Sequence, residues 1–423
     1  MNDVKGRPAA SKPSFDDFDE LRSPPPAVTG FEQVVERRVS RRGFLGGGLV
    51  LGATAFVMGS TALTPVAARA SSRLGFEPVE ASTLDSIALP PGYRWNVVAR
   101  WGDPLWSGAA DFDEETRGSG ASQERAFGDN NDGMTLFTHE GRHILAVNNE
   151  YVNLDIIFGN RESGEPETED DIRKGKAGHG VSIVEIDQRD GAWGIVKDSP
   201  FNRRITPDTP MEITGPARGH EMMKTAADPE GKVALGTWNN CGNGRTPWGT
   251  FLTCEENFNG YFSSSDAAFE PDENHRRYGV ELEDWGYGWA RSDERFDISK
   301  HPNEPNRAGY SVEIDPLEPT SRPKKRTALG RFKHENAEVA LAADGRVVVY
   351  LGDDERGEFL YKFVSEGRFV VGGDNADLLA NGRLFVARFN DDMTGQWLEL
   401  TPASTGMASQ AEICIHTRQA ASS

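Results

Sequence analysis

An all-β architecture, a β-propeller with insertions, is the fold this sequence predicts. From about residue 80 onward, short runs rich in Val, Ile, Tyr, Phe and Trp are separated by Gly, Asp and Asn turns, which is how strands are composed and punctuated. No helical period lasts more than about a dozen residues. Three segments also resemble one another: Val181-Ser-Ile-Val-Glu-Ile-Asp187, Ser311-Val-Glu-Ile-Asp315 and Phe359-Leu-Tyr-Lys-Phe-Val-Ser365. Each reads as a strand that ends at a turn, as the same strand of successive sheets would. Their irregular spacing rules out a WD-type repeat and leaves a pair of β-sandwiches as the alternative.

At the N-terminus, Ser40-Arg41-Arg42-Gly43-Phe44-Leu45 precedes a weakly apolar run through Ala62, and Ala68-Arg69-Ala70 offers small residues for cleavage. This pattern is a twin-arginine export signal over residues 1–70, leaving 71–423 as the folded domain. Gly46 to Gly48, Gly52 and Gly59 make the run a poor membrane span. The implied location is periplasmic or secreted, with the twin-arginine machinery as a partner and no stable membrane anchor. Residues 71–423 hold 37 basic and 59 acidic side chains. Such a charge repels nucleic acid and anionic lipid, and it repels a phosphate-bearing substrate unless bound cations invert the field locally. Only Cys241, Cys254 and Cys414 are present, so no framework of two disulfides is possible.

The clearest predicted strands are 142–147, 180–186, 192–197, 232–238, 249–254, 310–314, 347–351, 358–365, 382–389 and 397–400, and Ala342-Ala-Asp-Gly345 reads as a hairpin turn. Two polar stretches interrupt them. Phe158–Lys176 is charged and rich in turn formers and reads as a surface loop. Ser263–Asn306 carries Trp285, Tyr287 and Trp289 and reads as a folded cap or edge.

Chemistry-bearing residues follow β-runs repeatedly. Asn148-Asn149-Glu150-Tyr151 follows one strand, and Thr214 to Glu221 forms a second cluster. Gly236–Phe262 concentrates Cys241, Cys254, Glu255, Glu256 and several asparagines between Trp238 and Trp248. Lys333-His334-Glu335-Asn336-Ala337-Glu338 lies one hairpin before Gly352-Asp353-Asp354-Glu355-Arg356-Gly357. Taken singly, each acid reads as a solvated or turn-capping carboxylate, and the tryptophans read as packing residues. Recurrence favours ligands instead, because hard cations take carboxylate and amide oxygens whereas a thiolate holds a softer transition metal. No zinc signature, nucleophile elbow or phosphate-cradling loop is present.

At these residues the chain resembles the PhoX-type alkaline phosphatases of bacteria. The carriers are the twin-arginine signal, N-N-E-Y, N-N-C-G-N-G-R-T-P-W-G-T-F-L-T-C-E-E-N-F, R-F-K-H-E-N-A-E-V and Y-L-G-D-D-E-R-G-E-F-L-Y-K-F-V-S, in that order. The resemblance covers most of residues 80–420. It implies a six-bladed propeller and a cluster of Fe3+ and Ca2+ that hydrolyses phosphomonoesters. It also implies Cys241 as the thiolate ligand, with Cys254 as the alternative, and Glu150, Glu255, Glu256 and Glu335 as carboxylate ligands. Asp354 and Glu355 are further metal candidates, and Arg356 would meet the phosphate.

Two departures accompany the resemblance. Asn149 stands where the family often has His. After Ile415–Ser423 the family continues into an Asp-Arg-Pro-Glu motif and a closing blade, so the propeller is expected to be incomplete here. The rival readings are a non-catalytic, calcium-stabilised exported propeller that binds a partner, and a calcium-dependent propeller hydrolase of lactonase or phytase type.

Overall fold

Three β-sheets carry the chain, and the computed structural model describes residues 76–423. The twin-arginine signal lies outside the described residues. Residues 76–95 belong to a separate N-terminal unit that holds a turn at 91–92 and a Phe76–Tyr93 ring contact. Asn96–Ser423 form the second unit.

The first sheet orders β1 (Asn131–His139), β2 (Arg142–Asn149), β3 (Gly180–Arg189) and β4 (Ala192–Ile195), with β5 (Arg203–Ile205) also on β3, all antiparallel. Glu140-Gly141 and Asp190-Gly191 close its two hairpins with positive φ at both turn residues, the geometry that matches strand twist. The second sheet runs β7 (Val233–Leu235), β6 (Pro210–Thr214), β11 (Lys324–Arg326), β10 (Ser311–Ile314), β9 (Phe251–Glu255) and β8 (Asn240–Arg245), and β6–β11 is its parallel pair. The third is a meander of β12 (His334–Leu341), β13 (Arg346–Asp353), β14 (Leu360–Arg368), β15 (Gly382–Phe389) and β16 (Gly395–Glu399).

The three similar segments fall on β3, β10 and β14, each the third strand of the run β1-β2-β3, β8-β9-β10 or β12-β13-β14. Alternation then sets the core. Val347, Val349 and Leu351 on β13, Tyr361 and Phe363 on β14, and Leu384 and Val386 on β15 bury one face of the third sheet. Each contributes about 1.5–3 kcal/mol of apolar burial.

The 158–176 stretch departs from the expected surface loop. Its second half enters a ten-residue helix, Glu169–Gly178, whose Ile172 and Lys174 to Gly178 are buried. Thr168 caps the Asp171 N–H while the Asp171 carboxylate accepts from the Thr168 N–H, a capping box. Burial pushes the Asp171 carboxyl up, but hydrogen bonds from Arg161 and Thr168 outweigh it and hold the group at about 2. Because the folded value lies below the ordinary one, the stabilisation is full above about pH 4 and fades as pH falls toward 2. Asp171→Asn is expected to cost about 2 kcal/mol at neutral pH, less than a fully buried pair, since Arg161 is 28% exposed. Urea melts of both proteins check this, and the difference between them should shrink below pH 3.

Within Ser263–Asn306, Tyr287, Trp289 and Phe296 are buried against Trp238, Tyr261 and Phe262. The segment is therefore a packed cap, and Trp238 is a packing residue.

Candidate metal centre

The inner strands β1, β8 and β12 meet through glycines. A Cβ on Gly133 would sit 2.8 Å from the Asn243 N and the Gly242 C, one on Gly242 would sit 2.0 Å from the Glu335 O, and one on Gly244 would sit 2.0 Å from the Ala337 O. Only a residue without Cβ permits such backbone approach. Asn148 Nδ2 also donates to the carbonyls of Cys241 and Gly242, tying β2 to β8.

A one-residue bulge lies at the start of each inner strand. Asn131 pairs with Asn149 and Met134 with Val147; Asn240 pairs with Glu255 and Asn243 with Thr253; His334 pairs with Asp353 and Ala337 with Leu351. Three steps on the inner strand match two on its partner each time, and bulges of this kind re-aim side chains. The second residues of these strands are Asp132, Cys241 and Glu335. The residues directly after their partner strands are Glu150, Glu256 and Asp354.

These side chains converge. Ligand atoms of Asp132, Glu150 and Cys241 lie within 4.8 Å of one another, as do those of Cys241, Glu256 and Glu335. Asp354 lies close enough to both Glu256 and Glu335 to raise their carboxyls, and Cys241 Sγ lies 3.5 Å from Glu335 Oε1. Burial is the first cause raising all three shifted groups. Glu256 is held well above the carboxylate range by burial, then by Asp354, Glu150 and Glu335. Glu335 is pushed to about 7 by burial and Asp354. The Cys241 thiol is pushed up by burial, Glu256 and Asp132. Clustered acids around a thiol need protons or cations to coexist. Five carboxylates and one sulfur suit hard cations with one softer ion among them.

Cys254 does not join the cluster. It faces the apolar core with Leu252, and burial lifts its thiol to about 12. Glu255, expected as a ligand, lies outside the two converging groups, and its oxygens are engaged elsewhere. One pairs with Lys325 Nζ, and the other accepts from the N–H groups of Gly309 (2.9 Å) and Tyr310 (3.1 Å). Glu355 pairs with buried Lys333 at 2.8 Å, and Arg356 is exposed on the same turn. His334 is buried between Gly330 O and Ser311 Oγ and stacks on Phe332, so it is a structural residue. Asp132 was missed from sequence, although Asn-Asp-Gly at 131–133 parallels Asn-Cys-Gly at 240–242.

A buried relay backs the Cys241 hairpin. His179 Nδ1 faces Gly175 O at 2.7 Å and must donate, so Nε2 accepts from Tyr261 OH at 3.1 Å. The Tyr261 oxygen in turn accepts from Asn239 Nδ2 at 3.1 Å. Asn239 adopts φ +48°. Its carbonyl accepts from Glu256 N at 2.9 Å and its Oδ1 from Asn257 N at 2.6 Å. One residue, through its carbonyl and its side chain, thus ties together both walls that carry Cys241 and Glu256.

Residues 74–423 match the family model described as alkaline phosphatase PhoX. The chain belongs to the PhoX alkaline phosphatase family. A solved structure of PhoX from Pseudomonas fluorescens, in complex with vanadate as a transition state analogue, is 49% identical, with a TM-score of 0.78 over 82% of this chain. The chain spans 63% of the length of that PhoX structure. No curated protein matches. The PhoX match covers every element that brings the six donors together.

Proposed function

We propose that this chain is a metal-dependent phosphatase of phosphomonoesters, exported by the twin-arginine pathway, whose three sheets are blades of a β-propeller. The observation that carries the reading is the convergence of Cys241 with Asp132, Glu150, Glu256 and Glu335 in a chain of the PhoX family. Asp132, Glu150, Glu256, Glu335 and Asp354 would hold Ca2+ and iron, with Cys241 as the thiolate ligand of iron. Cations bound there would screen the phosphoryl oxygens and act as Lewis acids toward the ester. The chain's own part is to fix these donors on bulged strands and to bury Cys241 and Glu256 away from water. Arg356, exposed two residues beyond Asp354, would meet the phosphate. Glu355 is proposed as the partner of Lys333 rather than as a donor.

Chelator treatment is expected to lower p-nitrophenyl phosphate hydrolysis at least about 100-fold, the scale of losing charge stabilisation in a transition state, and Ca2+ with iron together should restore it. Full activity in metal-stripped protein would sink the reading. Calcium alone restoring activity, or hydrolysis of lactones but not phosphomonoesters, would favour a calcium-only propeller hydrolase. For export, replacing Arg41 and Arg42 by Lys is expected to retain the protein in the cytoplasm on fractionation. Among the described residues no helix is long and apolar enough to cross a membrane.

A further inference from the structure

The three donor-bearing hairpins share more than their bulges. In each, the residue paired with the first residue of the inner strand, at the flank of the bulge, is gripped by a cation from elsewhere in the chain. Asn149 Oδ1 accepts from Arg204 Nη1 at 2.6 Å, Glu255 pairs with Lys325, and Asp353 pairs with Arg418 at 2.5 and 2.7 Å. The next residue outward is then a second acid: Glu150, Glu256 or Asp354. Each hairpin is thus one unit with a bulge donor, a cation-gripped anchor and a terminal carboxylate. The bulge glycines seat neighbouring units on one another, Gly133 on Gly242–Asn243 and Gly242 on Glu335.

We infer that the centre is assembled from three copies of this unit, and that Cys241 is its metal-selectivity residue, occupying a position that the sister units fill with Asp132 and Glu335. This deepens the proposed function and rests on its metal-centre reading. Asp132 and Cys241 stand in the same three-residue frame, Asn-Asp-Gly and Asn-Cys-Gly, at the same bulge step, and each is followed by a packing glycine. The backbone therefore offers the same place to a carboxylate or a thiolate. A thiolate favours transition metals, whereas a carboxylate favours Ca2+ and its kind. Exchanging the two residue types between units should move the soft ligand without dismantling the cluster. Glu255 has the place of Asn149 and Asp353 in this scheme, which makes it an anchor.

Co2+ added to metal-stripped protein supplies the test, because a thiolate ligand gives a near-ultraviolet charge-transfer absorption that carboxylates do not. Wild-type protein should show the band, and Cys241→Asp should lose it while still binding Ca2+ at wild-type stoichiometry. The double variant Cys241→Asp/Asp132→Cys should regain the band, and Asp132→Cys alone should about double it. Circular dichroism and melting of each variant establish that it is folded. Loss of Ca2+ from folded Cys241→Asp, or no gain in the band from Asp132→Cys, overturns the equivalence of the units and leaves the metal centre standing. A wild-type protein that binds neither ion overturns the metal centre itself and this inference with it.

Discussion

Gly242→Ala is expected to abolish the candidate centre while leaving most of the sheet structure in place. The added methyl would lie 2.0 Å from the Glu335 carbonyl oxygen, about 1 Å inside the closest contact that packed carbon and oxygen tolerate. The obstacle is backbone, so no side-chain rotation relieves it. Because φ at Gly242 is not in the left-handed region, alanine suits the local backbone and the effect is purely that of approach. β8 must move away from β12, which separates Cys241 from Glu335 by about the same 1 Å. Displacements of that size cost reacting sites about 100-fold, and overpacking of this kind costs about 1–3 kcal/mol of stability. Gly194→Ala on β4, where a Cβ meets nothing within 4 Å, is the control and should change stability by less than about 0.5 kcal/mol. Metal stoichiometry and phosphatase rate report the outcome. If Gly242→Ala keeps both at the wild-type level, the nesting of bulge on bulge does not position the donors.

The same geometry explains what sequence could and could not reveal. Strands such as β2, β13, β14 and β15 were legible because their β-branched and aromatic residues alternate toward a core; β15 was placed at its observed bounds, Gly382–Phe389. The inner strands β1, β8 and β12 were not. Asn-Asp-Gly-Met, Asn-Cys-Gly-Asn-Gly-Arg and His-Glu-Asn-Ala-Glu carry polar residues and glycines where strand propensity expects apolar ones. Those are the residues a metal centre and its close backbone contacts require, so propensity fails where function begins. Glu150, Glu256 and Asp354 could be found because they follow readable strands. Asp132 lies on an unreadable one. The 169–178 helix carried a visible signal, Thr168 with Asp171 three residues on, but its charged first turn masked it as loop.

Glu255 and Glu256 mark a different limit, since adjacent carboxylates cannot be assigned opposite roles from spacing alone. Pairing settles the local placement: Glu255 belongs to the ladder opposite Asn240, and Glu256 lies beyond the strand. The relay from His179 through Tyr261 to Asn239 was equally invisible, as its side-chain hydrogen bonds join residues 82 and 22 positions apart.

Lys325→Met is expected to be among the most destabilising single changes in the chain, and it tests the anchor role of Glu255 directly. Both partners are buried, with side-chain exposures of 1% and 0%, and Lys325 also lies over the Trp238 ring at 5.6 Å. Removing the ammonium strands the Glu255 carboxylate in the interior with only two backbone N–H donors. Breaking such a pair from one side costs about 3–5 kcal/mol. Adding Glu255→Gln should recover much of the loss, because the amide oxygen still accepts from Gly309 and Tyr310 and no buried charge is left over. A double-mutant cycle in denaturant melts is therefore expected to give a coupling of about 2–3 kcal/mol. The double variant should still bind metal, since the anchor holds β9 in place while Cys241, Glu256 and Glu335 remain. A contrary result has a distinct signature: Lys325→Met nearly neutral, with Glu255→Gln stripping metal from a well-folded protein. That pattern would return Glu255 to the ligand set and require β9 to turn its last side chain toward Glu256, against the register that now pairs it with Asn240.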